Sequence, residues 1–329
     1  MNSRLQLRHT LSFSKDVPPP RYENQFSDEV IRAWTAQGGL DDLSPEEYFG
    51  LDRREDLPVQ WRRNPEEKAV VETEADLESF RGAYDAGRAD RLPEDWQNRL
   101  PEWRTRDFAL SIAPWNEGFF QVIGIGDWRS FYMAIAALCD RPALVEAAMD
   151  HYAGYLEGLL DRVLADVEVD LAVLYEPIAS NKRPVVSPDT YARFALPALR
   201  RVVERLEHHG VAFRFVWSSG QVRPLIPLWL EAGINGLAIN QAGLAGISYT
   251  ALRREFDPQL RLLGGIDWRV VMQGPAAIDD VLDRTVRPLL EQGGYVPYLD
   301  DTVRDYLPFH HFRYYREQLD ALVAETKES

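Results

Sequence analysis

Four acidic residues stand where short apolar runs stop. Glu176 follows LAVLY, Asp267 follows LLGGI, and Asp300 and Asp301 follow YVPYL. A carboxyl in such a place is a candidate acid or base, and crowded carboxylates raise one another's pKa. Basic residues keep close company with them: Lys182 and Arg183 after Glu176, Arg269 after Asp267, and Arg304 after Asp301. These suit a carboxylate or phosphate ligand, arginine through a bidentate grip. Neutral and aromatic groups complete the set. They are Trp115, Asn116 and Glu117 after FALSIAP, Tyr175 beside Glu176, Trp217, Ser219 and Gln221 after VAFRFV, and Asn240 with Gln241 after GLAI. We read the four acids as candidate catalytic groups and the rest, with His310, as candidate substrate-binding groups.

Plainer duties compete for several of them. Asp267 follows a Gly-Gly turn and can cap the next helix, and Arg269 can pair with it. Glu176 is the strongest functional candidate, because a charge directly at a strand end needs a partner. His208 and His209 close a helix, where a cation suits the dipole. His310 and His311 open the final helix, facing the loop of Asp300 and Asp301. No Gly-x-Ser-x-Gly elbow is present to support a serine nucleophile. Glu176, Asp300, Asp301 and His310 are oxygen and nitrogen ligands that a hard cation accepts, but spacing alone assigns no metal ligand.

The elements that must position these groups follow from periodicity. From Asp107 onward, short apolar runs alternate with longer helical patterns, which predicts parallel strands joined by crossover helices. The expected strands are Phe108–Ala113, Asp170–Tyr175, Val211–Trp217, Ile234–Asn240, Leu260–Gly265 and Tyr295–Leu299. Asp140 and Pro142 should open a helix with the stripe Leu144, Val145, Ala148, Met149, Tyr152 and Leu156. Ser187 and Pro188 should open another that ends at Gly210 and is kinked or split at Pro197. Pro224, Ser248 and Pro275 mark three further starts, and a last helix should run over 308–324. Helical patterns also occur over 28–37 and 45–51. The expected fold is therefore an α/β, (β/α)8 TIM-type barrel with an N-terminal helical or irregular extension. Residues 1–106 form a wrapping or lid subregion that includes the early barrel elements, and 107–329 form the main part of the barrel. In such a barrel, chemistry collects beyond the C-terminal ends of the strands. Ile123–Gly126 holds only Gly-x-Gly, far short of a dinucleotide fingerprint, and no phosphate loop is present.

Composition agrees with a folded soluble protein. The 329 residues are 45% hydrophobic and 27% charged, with a formal net charge of -15. That field repels a phosphate backbone, so nucleic acid is not an expected partner. No apolar run reaches a membrane span of roughly 18 residues and no apolar leader opens the chain, so the expected location is cytoplasmic. The single cysteine, Cys139, lies in YMAIAALC and reads as a small core residue.

Four segments carry a family resemblance: VSPDTYARFALPALRRVVERLEHHG, GQVRPLIPLWLEAGINGL, LRLLGGIDWRVVMQG and EQGGYVPYLDDTV. With EEYFGLDRREDLPV near the N-terminus, they resemble the uroporphyrinogen decarboxylase superfamily, over about two thirds of the chain, and especially its decarboxylase-like branch. The resemblance implies a (β/α)8 barrel and one of two chemistries. True decarboxylases remove carboxyl groups from a tetrapyrrole without a cofactor, using an N-terminal Arg-rich segment. That segment has no counterpart here, although Arg53, Arg54, Arg62 and Arg63 are basic. Related methyltransferases move methyl groups between corrinoid proteins and a thiol or folate, several with a thiolate-activating zinc. Their His-x-Cys-Gly reads Trp217-Ser218-Ser219-Gly220 here, so the usual zinc site is not expected. The branch often has Asp-x-Asp-Gly at that place and Asp-His at the last strand; here only Asp300 keeps the pattern.

The resemblance thus implies an enzyme acting on a small molecule. The leading expectation is methyl transfer with a corrinoid protein or folate, in which Glu176, Asp267 and Asp300 orient or protonate the donor and Trp115 and Trp217 pack the substrate. The second is a cofactor-free carboxy-lyase acting on a porphyrinogen or smaller acid through Arg183, Arg269 and Arg304. The third is an inactive ligand-binding relative. A homodimer is an open option.

Overall fold

The computed structural model describes residues 2–64, 71–113, 117–118, 122–123 and 128–328. Seven strands occur among them: β1 (Arg54–Asp56), β2 (Ala109–Ile112), β3 (Leu171–Tyr175), β4 (Arg214–Ser219), β5 (Gly236–Asn240), β6 (Arg261–Leu263) and β7 (Tyr295–Val296). Helices follow in alternation. This is the pattern of a TIM-type barrel, with parallel strands as expected.

The chain divides into two compact units. The first comprises 1–55, 107–109 and 236–329, and the second 56–106 and 110–235. The N-terminal segment is therefore shared out between both. In the second unit β2 pairs in parallel with β3, and β3 with β4, so that Tyr175 stands opposite Trp217. In the first unit β5 pairs in parallel with β6, and β6 with β7.

Local chemistry explains the boundaries. Ser187 caps the helix Pro188–Phe194 by accepting from the Thr190 amide, and Ser248 caps Tyr249–Glu255 in the same way. Pro197 splits the expected long helix in two, the second part being Leu196–His208. Asp140 is not a cap: it ends the helix Trp128–Asp140, and Arg141 precedes Pro142–Leu164. Cys139 is exposed rather than core. Its helix turns Ala134, Ala137 and Leu138 inward, which leaves 139 on the opposite face. β7 stops earlier than expected because Pro297 has no N–H for the ladder. Pairing resumes only at an isolated parallel bridge from Leu299 to Ile266.

Each unit has a buried anchor. In the second unit Arg106 and Asp170 form a buried ion pair at 2.9 Å, and Asp170 also accepts from the Leu110 amide. In the first unit Trp34 is fully buried among Phe26, Phe49, Phe309 and Phe312. Burying one such side chain contributes roughly 2–3 kcal/mol. Its indole donates to the Leu307 carbonyl at 2.8 Å, which ties the N-terminal helices to the chain after β7. No helix among the described residues is long and apolar enough to cross a membrane.

Candidate functional site

The first unit gathers three carboxyls beyond its strand ends. Asp267 follows β6, and Asp300 and Asp301 follow β7. Asp267 caps the helix Trp268–Met272 by accepting from the Arg269 amide. It also takes the Arg269 guanidinium, with Nε at 2.8 Å and Nη2 at 2.5 Å. Both plainer duties expected of this pair are thus present. Asp301 accepts from Gln241 and from Arg304, each at 3.3 Å. Gln241 follows β5 with a left-handed backbone, φ 54°, which is uncommon for a residue other than glycine and marks a constrained turn. Gly243 brings that turn against Asp267, where a Cβ would lie 2.9 Å from the carboxylate.

Asp300 is the exception in this cluster. Its residue is 7% exposed, and neither carboxyl oxygen closes a hydrogen bond. Burial, then the charges of Asp267 and Asp301, push its pKa up to about 7; the facing Ala242 amide and Arg269 pull less strongly the other way. A carboxyl poised there can hold or release a proton at neutral pH. The buried Oδ1 of Asn240, at the end of β5, is likewise without a partner.

No residue pattern marks what holds this loop. Glu23 is buried and accepts from the Leu299 amide at 2.9 Å and from Tyr315 at 3.2 Å. Arg316 lies 3.5 Å from it. Burial raises the Glu23 pKa against the pull of Arg316 and these hydrogen bonds. Asn24 donates to the carbonyls of Leu299 and Asp301 at 2.8 and 3.0 Å. The N-terminal segment therefore fixes the backbone on either side of Asp300. Arg304 is exposed, as is His310, which lies against His311 with ring centres 4.4 Å apart.

The second unit gathers aromatic and acidic groups at the ends of β3 and β4. The Tyr175 and Trp217 rings stack at 4.9 Å and 20°, and the Arg62 guanidinium lies 5.0 Å over Tyr175. Glu176 turns the other way: it accepts from Tyr191 at 3.2 Å, and Tyr191 accepts from the buried Trp229 indole at 3.0 Å. Glu117 accepts from Tyr84 and from the Arg63 amide. Glu117, Tyr152, Leu156, Glu176 and Tyr191 help line a largely apolar cavity of about 40 Å³, room for little more than a water molecule or two. Ser219 and Gln221 are half-buried, and the Gln221 amide donates to the Ser180 carbonyl. Gly220 makes that approach possible, since a Cβ there would meet the Ser180 carbonyl at 2.5 Å. Lys182 and Arg183 are exposed in the turn after Glu176. Trp115 and Asn116 lie outside the described residues. Tyr84, Tyr152, Tyr191 and Arg62 were not among the sequence candidates.

The uroporphyrinogen decarboxylase (URO-D) family matches residues 109–299, more than half of the chain. The chain belongs to the uroporphyrinogen decarboxylase family. No curated protein sequence matches it. A solved methyltransferase from Methanosarcina mazei is similar in structure, with a TM-score of 0.64 and 15% identity over 99% of both chains. At that identity the likeness speaks for the fold. Within this URO-D chain, the position where the family's methyltransferases were expected to carry His-x-Cys holds Trp217, stacked on Tyr175, and Ser219, while Ser218 donates to the Glu176 carbonyl. Among the described residues no group of three His, Cys, Asp or Glu could hold a metal ion.

Proposed function

We propose that this protein is a methyltransferase of the URO-D family, completing a (β/α)8 barrel. It would act in the cytoplasm on a small molecule, with a corrinoid protein or folate as the other methyl carrier. The observation that carries the reading is Asp300, a buried carboxyl with a pKa near 7 whose oxygens close no well-formed hydrogen bond. A methyl group leaves a heteroatom as CH3+, and the C–X electron pair stays on X. The acceptor's electron pair forms the new bond to carbon. The leaving atom departs readily only if it is protonated; Asp300 holds the proton there, giving it to a neutral leaving atom or, once ionised, accepting the hydrogen bond of one that arrives protonated. Asp267 and Arg269, locked together, hold the turn facing Asp300 and add charge of both signs beside it.

A thiolate zinc does not fit the residues at the β4 end. Trp217, Ser218 and Ser219 supply no soft donor, and Cys139 is exposed on another helix. No step is routed through such a metal.

The test is turnover with methylated amines, ethers and thioethers, using reduced cobalamin or tetrahydrofolate as acceptor. Methylcobalamin formation is followed by absorbance and methylfolate by mass. Methyl transfer is expected, with a loss of about 10²- to 10⁴-fold in Asp300→Asn, the usual weight of a general acid. Release of carbon dioxide from a porphyrinogen or a smaller acid, without methyl transfer, would replace this reading with the carboxy-lyase.

A further inference from the structure

Three buried acceptor oxygens in the first unit lack a well-formed hydrogen bond: both carboxyl oxygens of Asp300, approached only by the Ala242 amide, and Oδ1 of Asn240. Asp300 is more than nine-tenths buried, and its carboxyl faces the Ala242 amide, two residues beyond Asn240. An unmet buried acceptor costs about 1–3 kcal/mol, so such atoms mark a place that a ligand or water completes. Apart from the Ala242 amide, the donor side chains nearby turn to the other two acids. Gln241 and Arg304 give theirs to Asp301, and Arg269 gives its to Asp267. What is missing is therefore a set of N–H or O–H donors.

Charge narrows the class. Three carboxyls, Asp267, Asp300 and Asp301, face two guanidiniums, Arg269 and Arg304. With all of them ionised the cluster carries an excess negative charge, so an anionic ligand is repelled and a cation is drawn in. Water can meet the acceptors but cannot balance that charge. A quaternary ammonium balances the charge but brings no N–H. We infer that this turn recognises a nitrogen cation bearing N–H bonds, an ammonium or amidinium group whose donors face Asp300 and Asn240. This rests on reading the first-unit cluster as the reaction site, and it gives that site its substrate class. A protonated nitrogen also arrives with its proton already on the atom that must leave.

Calorimetric titration of the full chain tests this. The probes are n-propylammonium and acetamidinium, with tetramethylammonium and propionate as controls. Saturable binding of at least one N–H cation is expected at pH 8, with tetramethylammonium and propionate at least tenfold weaker. Near pH 7, titrations in buffers of different ionisation heat should show proton release as Asp300 gives up its proton to meet the cation. The groups around it are Asp267, Asp301, Arg269, Tyr249 and Tyr295, with Arg304 acting through Asp301. Asn240→Leu and Asp300→Asn should each weaken binding at least tenfold. Asn240→Leu keeps the test decisive should Asp300→Asn fail to fold. Equal binding of tetramethylammonium, preferred binding of propionate, unchanged affinity in a folded variant, or no binding of either N–H cation in the millimolar range would overturn the inference. Methyl transfer from ethers or thioethers alongside such a result would leave the proposed reaction standing.

Discussion

Glu117 in the second unit and Asp300 in the first are both more than nine-tenths buried, and only one of them is answered. Glu117 takes the Tyr84 hydroxyl and the Arg63 amide, and Arg63 lies 3.8 Å away. Glu176, half-buried nearby, takes Tyr191. The tyrosines bear the mark of that arrangement: burial, then Tyr152 and Glu117 for Tyr84 and Glu176 for Tyr191, pushes both well above their ordinary range, so they remain donors. Asp300 has no such escort. Nor is this a habit of the first unit, where Glu23 is met by Leu299, Tyr315 and Arg316. A buried charge that is fully met stiffens a scaffold, and one left unmet is costly unless something else completes it. On the proposed reading, the second unit's acids are scaffold and Asp300 carries the ligand chemistry.

The sharpest test of the contrast is to strip an answered charge. Glu23→Leu leaves the buried Arg316 with only the more exposed Asp320 as counter-charge and removes the acceptor of the Leu299 amide. A loss of roughly 3–5 kcal/mol is expected, read by urea unfolding at pH 7. Glu23→Gln keeps an acceptor for Leu299 and should lose less. A loss below about 1 kcal/mol for Glu23→Leu would mean that the network is not the anchor described here.

Asp300 should behave in the opposite sense. Its folded pKa of about 7 stands above the ordinary 3.8, so between those values the folded chain holds a proton that the unfolded chain has lost. Stability therefore falls as pH rises from about 4 to 7, and above 7 the full cost of the charge is present, on the order of 4 kcal/mol. Asp300→Asn removes that cost. It should unfold at the same urea concentration as the parent below pH 4 and be more stable by up to about 4 kcal/mol above pH 7. Parallel stability profiles for variant and parent across this range would show that Asp300 is met after all.

The sequence carried the framework better than the site. Strands β2 to β7 were placed within a few residues, because a strand covered on both faces is a short apolar run. The caps at Ser187, Ser248 and Asp267 were legible from residue type and position. β1 was not, since Arg54, Glu55 and Asp56 have no apolar pattern. Of the site, the acids at the strand ends were readable, but their partners were not. Glu23 reaches Leu299 across 276 residues of sequence, and no local pattern marks such a contact. Nothing local marks Tyr191, because its hydroxyl bond to Glu176 depends on how its helix packs. Position on the chain could not tell which acid would be met. Glu176 stood as the strongest candidate because a charge there needs a partner; the structure supplies that partner in Tyr191.

Tyr191 provides the gentlest way to break the comparison. Tyr191→Phe keeps the ring among its neighbours and deletes a hydroxyl that donates to Glu176 and accepts from Trp229. Both lose a partner, and the Trp229 indole is fully buried. The expected loss is about 1–3 kcal/mol, the ordinary cost of an unmet buried group. If Glu176 is scaffold, turnover per folded molecule and its pH profile should stay as in the parent. A shifted pH profile with little loss of stability would instead make Glu176 part of the chemistry. The answered acid would then share the role assigned to the bare one, and the contrast between the two units would fail at its second-unit end.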